Sequence, residues 1–293
     1  MLPRVQLDAS ATCSSLAEMS MLEGKVAIVT GSAQGIGRAT AERLAEHGAH
    51  VVISDLDGDL AQETASSLTG EHAVHVGDLT KGGVPEALVD TAIGTWGKLD
   101  IIVNSAGYTL DAPVHKMTDD AFRRMMDIHL VVPFQVVRAA APHLREPAKA
   151  ERDRGEEVFR KIVNVSSSSG TMGSAGQANY SSAKAGLLGL TKTLAKEWGQ
   201  FKINCNAVAF GFVETRLIAE NDGANAIEVD GERFPLGIPP QLRAMAPTIV
   251  PLGRSATPRE AAGGILFLCS PWSDYVHGQT LSVTGGLVGG MCS

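Results

Sequence analysis

Short apolar runs rich in valine and isoleucine recur along the chain, each followed by a stretch whose apolar positions repeat with helical spacing. The runs at 25–30, 51–55, 72–76, 99–104, 162–166 and 203–209 predict strands, and 281–283 a short last one before Gly285-Gly286. Residues 37–47 predict a helix closed by Gly48, and further helices begin at Leu60, after Pro85 and at Asp119. The helix from Asp119 carries Pro133, which predicts a bend, because proline has no amide hydrogen to give to the preceding turn. A further helix carries Tyr180 and Lys184 and runs to about Trp198. Continuous apolar strands alternating with helices specify a parallel sheet covered on both faces. No internal repeat or linker interrupts the series. The expected architecture is a single-domain doubly wound (Rossmann-type) α/β fold of about seven parallel strands over residues 22–293.

Two segments stand outside this rhythm. Residues 1–21 lack the basic start and continuous apolar stretch of a signal peptide, and Asp8 and Glu18 argue against a transit peptide. They read as a loosely held N-terminal extension, and Met21 offers a second start site. Residues 145–161 concentrate charge (Arg145, Glu146, Lys149, Glu151, Arg152, Asp153, Arg154, Glu156, Glu157) and read as a solvated surface insertion.

Composition narrows the function. A net charge of −7 without any basic tract argues against nucleic-acid binding. No apolar run reaches membrane-spanning length, so a membrane partner is not expected. The four cysteines (Cys13, Cys205, Cys269, Cys292) show neither paired nor metal-ligand spacing. That pattern suits a reduced, cytoplasmic compartment with no metal, and Cys205 and Cys269 read as small buried hydrophobes.

Four places are candidates for chemistry. Between the first strand and the first helix stands Thr30-Gly31-Ser32-Ala33-Gln34-Gly35-Ile36-Gly37. Bare backbone at such a turn approaches a pyrophosphate closely, and the helix N-terminus supplies N–H donors and the positive end of its dipole. Asp55 ends the second strand, where a carboxylate accepts both ribose hydroxyls of an adenosine and repels a 2′-phosphate. No arginine or lysine stands at positions 32–34 or beside Asp55, so NAD(H) is expected over NADP(H). Asp78-Leu79 closes the third strand and has two readings, a contact to the adenine edge or a plain turn aspartate. Finally, Tyr180 and Lys184 lie four apart, on one face of a helix. A lysine ammonium beside a phenol favours the phenolate, so the Tyr180 pKa is expected to fall toward working pH and serve acid–base chemistry at a carbonyl oxygen.

Taken together these runs resemble the short-chain dehydrogenase/reductase family, over nearly the whole chain from Gly24 to Gly286. Thr30-Gly31-x-x-x-Gly35-x-Gly37 looks like its glycine motif and Asn104-Ser105-Ala106-Gly107 like its Asn-Asn-Ala-Gly. Ser167 stands thirteen residues before Tyr180, the family spacing for the catalytic serine. The segment Gly170-Thr171-Met172-Gly173-Ser174-Ala175-Gly176-Gln177-Ala178-Asn179-Tyr180 resembles the 3-oxoacyl-[acyl-carrier-protein] reductases in particular.

The resemblance implies that Tyr180 gives or takes the proton, that Ser167 orients the substrate oxygen, and that Lys184 tunes Tyr180 and holds the nicotinamide ribose. It also implies that Asn104, Ala106 and Gly107 line the cofactor and that Val213 and Thr215 meet its nicotinamide carboxamide and phosphates. Three positions depart from the pattern: Ser105 for asparagine, Phe210 for proline, and His129 for asparagine. The first implies the loss of one structural hydrogen bond, and the second puts the path of the nicotinamide loop in question. His129 either keeps a water-mediated proton relay to the lysine, with added pH sensitivity, or is a core histidine.

Residues 216–253 depart most from the family and read as a substrate lid. Ile227-Glu228-Val229-Asp230-Gly231-Glu232-Arg233-Phe234 alternates around Asp-Gly and predicts a β-hairpin. Pro235, Leu236, Ile238, Pro239, Pro240, Leu242 and Met245 make the rest apolar, which suits an acyl chain or hydrophobic carbonyl compound; such residues also serve to pack the lid onto its own domain or a neighbouring subunit. The expected reaction interconverts a 3-oxoacyl and a 3-hydroxyacyl thioester, on coenzyme A or acyl-carrier protein. The alternatives are a hydrophobic ketone, steroid or cyclic alcohol as substrate, or a nucleotide-binding regulator without catalysis. By resemblance the chain forms a homotetramer or homodimer.

Overall fold

The computed structural model describes residues 20–219, 226–229, 231–235, 237 and 240–287. Seven strands form one parallel sheet: β1 (Val26–Thr30), β2 (His50–Asp55), β3 (His72–Val76), β4 (Ile101–Asn104), β5 (Arg160–Ser167), β6 (Ile203–Phe210) and β9 (Thr280–Val283), in the order β3-β2-β1-β4-β5-β6-β9. Alternate side chains feed two apolar layers. Ile28, Val52, Ile102 and Ile162 point to the face covered by α3 (Val84–Trp96) and α5 (Val132–Asp153). Val29, Val51, Val103 and Val163 point to the face covered by α1 (Gly35–Glu46) and α9 (Pro258–Cys269). Two-sided burial is why these strands read as unbroken apolar runs. The remaining helices are α2 (Gly58–Ser67), α4 (Asp119–Met126), α6 (Ser168–Met172), α7 (Ala178–Trp198) and α8 (Pro240–Ile249).

β1 pairs with both β2 and β4, so the strand order reverses there. At such a switch point the loops leaving the strand ends diverge to opposite faces and open a crevice. Among the described residues, no helix is long and apolar enough to cross a membrane.

Two expectations are met only in part. The helix from Asp119 is not one bent rod: α4 ends at Met126, a π-turn spans Asp127–Val131, and α5 starts at Val132 with Pro133 in its first turn. The widened turn is the local response to a proline that gives no amide hydrogen. Of 145–161, residues 152–157 are exposed as expected, but the two ends are built into the fold. Residues 145–153 are the last turns of α5, and β5 starts two residues early, with Arg160 and Lys161 buried. Their charges are tolerated because each has an ionic partner: Arg160 donates twice to Glu151, at 2.7 and 2.8 Å, and Lys161 Nζ lies 2.6 Å from Asp274.

The hairpin forms as β7 (Ala226–Val229) and β8 (Glu232–Pro235), antiparallel, with Ile227 opposite Phe234 and Gly231 at φ +76°. Cys205 and Cys269 are buried, which pushes both thiols up. Residues 1–19, with Cys13, and Asp230, Leu236, Ile238, Pro239 and Cys292 lie outside the described residues.

Candidate active site

A cavity of about 360 Å³ opens over the switch point, and nearly every residue singled out from the sequence lines it. At one end is the glycine turn. Gly31 and Gly35 have φ of +65° and +60°, and a Cβ on Gly31 would stand 2.6 Å from the Ala106 Cα. A Cβ on Gly37 would stand 2.1 Å from the Gly31 carbonyl oxygen. The turn therefore requires glycine at both close approaches. Gln34 makes no side-chain cap to α1, so the first-turn amides beside Gly35, Ile36 and Gly37 meet the cavity without a side-chain acceptor. Bare backbone and open amides at a helix N-terminus fit a pyrophosphate.

Asp55 lies beside this turn at the end of β2 and is held rigidly. Its Oδ2 accepts from the Ala33 amide at 3.0 Å, and its Oδ1 from the Leu56 and Asp57 amides at 2.8 and 3.2 Å. Carboxylate oxygens have further lone pairs, so these bonds orient the group and leave acceptor capacity for a ribose. Asp78 and Leu79 also line the cavity. Asp78 at the same time accepts from the Thr80 amide and hydroxyl, at 2.9 and 2.7 Å, so it is a turn residue as well. Gly35 packs near Thr215, and Val213 bridges to Ala256, which places the loop after β6 against the glycine turn. Phe210 is buried as the last residue of β6, in register with Val283, and that loop leaves the sheet into the cavity.

Asn104 is a correction. It does not line the cavity; its Nδ2 donates to Asn164 Oδ1 at 2.8 Å and ties β4 to β5. Ser105, Ala106 and Gly107 line the wall instead, with the Ser105 and Ala106 amides both donating to Thr30 Oγ1 at 3.0 Å.

At the other end stand Ser167, Tyr180, Lys184 and His129. Ser167 ends β5 and caps α6, its Oγ accepting from the Ser169 amide at 3.1 Å. It lies close enough to the Tyr180 hydroxyl to lower that group's pKa. Asn179 fixes the start of α7 by donating to the Leu110 and Ala121 carbonyls, at 2.9 and 3.1 Å. Lys184 Nζ donates to the Val165 carbonyl at 2.6 Å and lies 5.6 Å from the centre of the Tyr180 ring.

The electrostatics differ from the expectation drawn from the spacing alone. Burial pushes the Tyr180 phenol up to about 12 and the Lys184 amine down to about 7. Desolvation of each charged form is the leading cause, and for Tyr180 the Asp111 charge adds to it while Ser167 partly offsets it. The phenol is thus a poised proton donor at neutral pH.

His129 projects from the π-turn, 2% exposed. Its Nε2–H donates to the Tyr108 carbonyl at 2.7 Å, and its buried Nδ1 has no hydrogen-bond partner among the described residues. Burial, reinforced by the nearby Lys184 charge, holds the imidazole well below its ordinary pKa, so it stays neutral and adds no pH sensitivity in the physiological range.

Tyr108 and Asp111 also line the wall without a distinguishing sequence pattern, as do Gln177 of the reductase-like segment and Arg216, Leu217 and Ile218 at the start of the lid. Of the lid, Ile227 lines the cavity, while Met245 is 51% exposed.

Comparison with known proteins agrees with this layout. Residues 31–288 match the family model described as enoyl-(acyl carrier protein) reductase. The chain is 35% identical to the 3-oxoacyl-[acyl-carrier-protein] reductase FabG of Thermotoga maritima, over 91% of this chain and 99% of that protein. It is 37% identical to FabG of Vibrio cholerae and 37% identical to an uncharacterized oxidoreductase, MT1393, of Mycobacterium tuberculosis, in each case over 91% of this chain and 98% of the other. A glycine turn at a switch point, a serine–tyrosine–lysine group facing it, and likeness over nine-tenths of the chain lead to one statement: the chain belongs to the short-chain dehydrogenase/reductase family of oxidoreductases.

Proposed function

We propose that the protein reduces the 3-oxo group of an acyl thioester, carried on coenzyme A or acyl-carrier protein, with NADH preferred over NADPH. The observation that carries this reading is the Tyr180 phenol, held protonated by desolvation, with Ser167 beside it at the end of the cavity opposite the glycine turn. The relatives named FabG support the substrate class.

When bound, the nicotinamide supplies the hydride. Ser167 donates a hydrogen bond to the substrate's carbonyl oxygen and orients it, and Tyr180 delivers the proton that the oxygen gains. Lys184, anchored on the Val165 carbonyl, stabilises the phenolate left behind. Leu217, Ile218 and Ile227 give the substrate end an apolar wall suited to an acyl chain. Preference for NADH rests on Asp55, fixed by three amides where a 2′-phosphate would meet its charge. Of the cationic side chains lining the cavity, Lys184 lies at the catalytic end and Arg216 opens the lid, and neither neighbours Asp55 in the chain. Exposed Phe134 on α5 and Trp272 and Tyr275 before β9 support assembly into a homotetramer or homodimer.

The test is absorbance-followed oxidation of NADH and, separately, NADPH, with acetoacetyl-coenzyme A, acetoacetyl carrier protein and crotonyl-coenzyme A. Rapid turnover of an acetoacetyl thioester with NADH, and none of the enoyl thioester, is expected. Silence with the acetoacetyl thioesters alongside reduction of a hydrophobic cyclic ketone would move the substrate to that class. Silence with every carbonyl compound, in a protein that binds NADH, would leave a nucleotide-binding regulator.

A further inference from the structure

Asp111 lies in the loop after β4, and its carboxylate faces the catalytic end of the cavity, away from Asp55 and Asp78 at the adenosine end. It is close enough to Tyr180 that its charge helps raise the phenol pKa. Its position is fixed by a chain that begins at the catalytic serine. The Ser169 amide donates to Ser167 Oγ at 3.1 Å, Ser169 Oγ donates to Gln177 Oε1 at 2.8 Å, and Gln177 Nε2 donates to Asp111 Oδ2 at 2.9 Å. A backbone bridge between Ala112 and Gln177 closes the loop onto the start of α7. The carboxylate is thus held in a set relation to the place where the substrate's carbonyl oxygen must sit.

Only Oδ2 is engaged by the protein among the described residues, so Oδ1 has lone pairs for a donor on the substrate. The carboxylate is exposed to the open cavity, with protein on one side that holds its pKa above the ordinary value, and a substrate seated against it displaces the water that would screen its charge. A second carboxylate brought to this end meets that charge at short range, whereas an amide, ester or hydroxyl does not.

We propose that Asp111 determines substrate charge: it admits neutral 3-oxoacyl compounds, accepting a hydrogen bond from an amide or hydroxyl where one is present, and rejects free 3-oxo acids. This inference rests on the reading of the site as a carbonyl reductase and adds a specificity residue to it. It also gives the acyl carrier a role beyond delivery, because esterification removes the charge that Asp111 excludes.

The experiment compares kcat/KM for ethyl acetoacetate and acetoacetate, with NADH, in the wild type and Asp111→Asn. The wild type should favour the ester, and the variant should narrow that ratio by about tenfold, mostly through faster reduction of the acid. Asp111→Ser serves as a second variant if Asp111→Asn fails to fold. A ratio unchanged in the folded variant overturns the proposal. If neither compound is turned over, the carbonyl-reductase reading fails separately, and the same ratio is read as calorimetric dissociation constants, where an equal preference in wild type and variant again overturns it.

Discussion

The His129 ring stands edge-on to the Tyr180 ring, centroids 4.9 Å apart at 90°. The same imidazole fills the space over Gly107, where a Cβ would fall 2.0 Å from the His129 Cε1. An aromatic edge against an aromatic face is a favoured contact, and here it sets the orientation of the phenol. Gly107 is therefore needed for the histidine as much as for any cofactor.

Gly107→Ala is expected to cost about 1–3 kcal/mol of stability through overpacking against that ring. In a His129→Ala background the same change should cost far less. A double-mutant cycle in urea unfolding measures the difference, and equal costs in both backgrounds would show that the ring is not what the methyl meets.

Lys184 has a pH signature with a definite sign. The unfolded chain protonates this amine below about 10.5, the folded protein only below about 7. Between those values the unfolded state holds more protons, so the stability contribution of this site rises with pH. Wild-type stability relative to Lys184→Met should increase by about 1 kcal/mol per pH unit from pH 7.5 to 9.5. Denaturant unfolding across that range checks it, and a flat difference would mean that Lys184 is charged in the folded protein.

Asp55→Ala removes the acceptor for Ala33, Leu56 and Asp57 as well as the charge at the ribose position. We expect the ratio of kcat/KM with NADH to that with NADPH to fall by about tenfold or more. An unchanged ratio would remove Asp55 from cofactor choice.

Much of this molecule is legible in its sequence because its strands are buried on both faces and its glycines answer to local geometry. The turn at Gly31–Gly37 and the pairing of Tyr180 with Lys184 follow from spacing on elements that can be recognised one at a time, whereas Ser167, one of four consecutive serines, is singled out only by the family resemblance. What spacing does not carry is desolvation. Four residues along a helix place Lys184 near Tyr180, but only the packed structure reveals that Lys184 is buried and Tyr180 half-buried, and the desolvation of the phenol reverses its expected shift. Long-range partnership is hidden for the same reason. Lys161 reads as part of a charged surface until Asp274, 113 residues away, is seen beside it. Asn104 fits a motif, yet its side chain faces Asn164 rather than the cavity. Asp111 has no motif, and its link to Ser167 runs through Gln177, 66 residues on.

The most direct test of the catalytic assignment is single-turnover reduction of acetoacetyl-coenzyme A by Tyr180→Phe, with NADH binding measured in the same samples. Loss of the chemical step by about a hundredfold or more, with NADH still bound, is expected if the Tyr180 phenol supplies the proton. Retention of the wild-type rate in the folded, NADH-binding variant would contradict it.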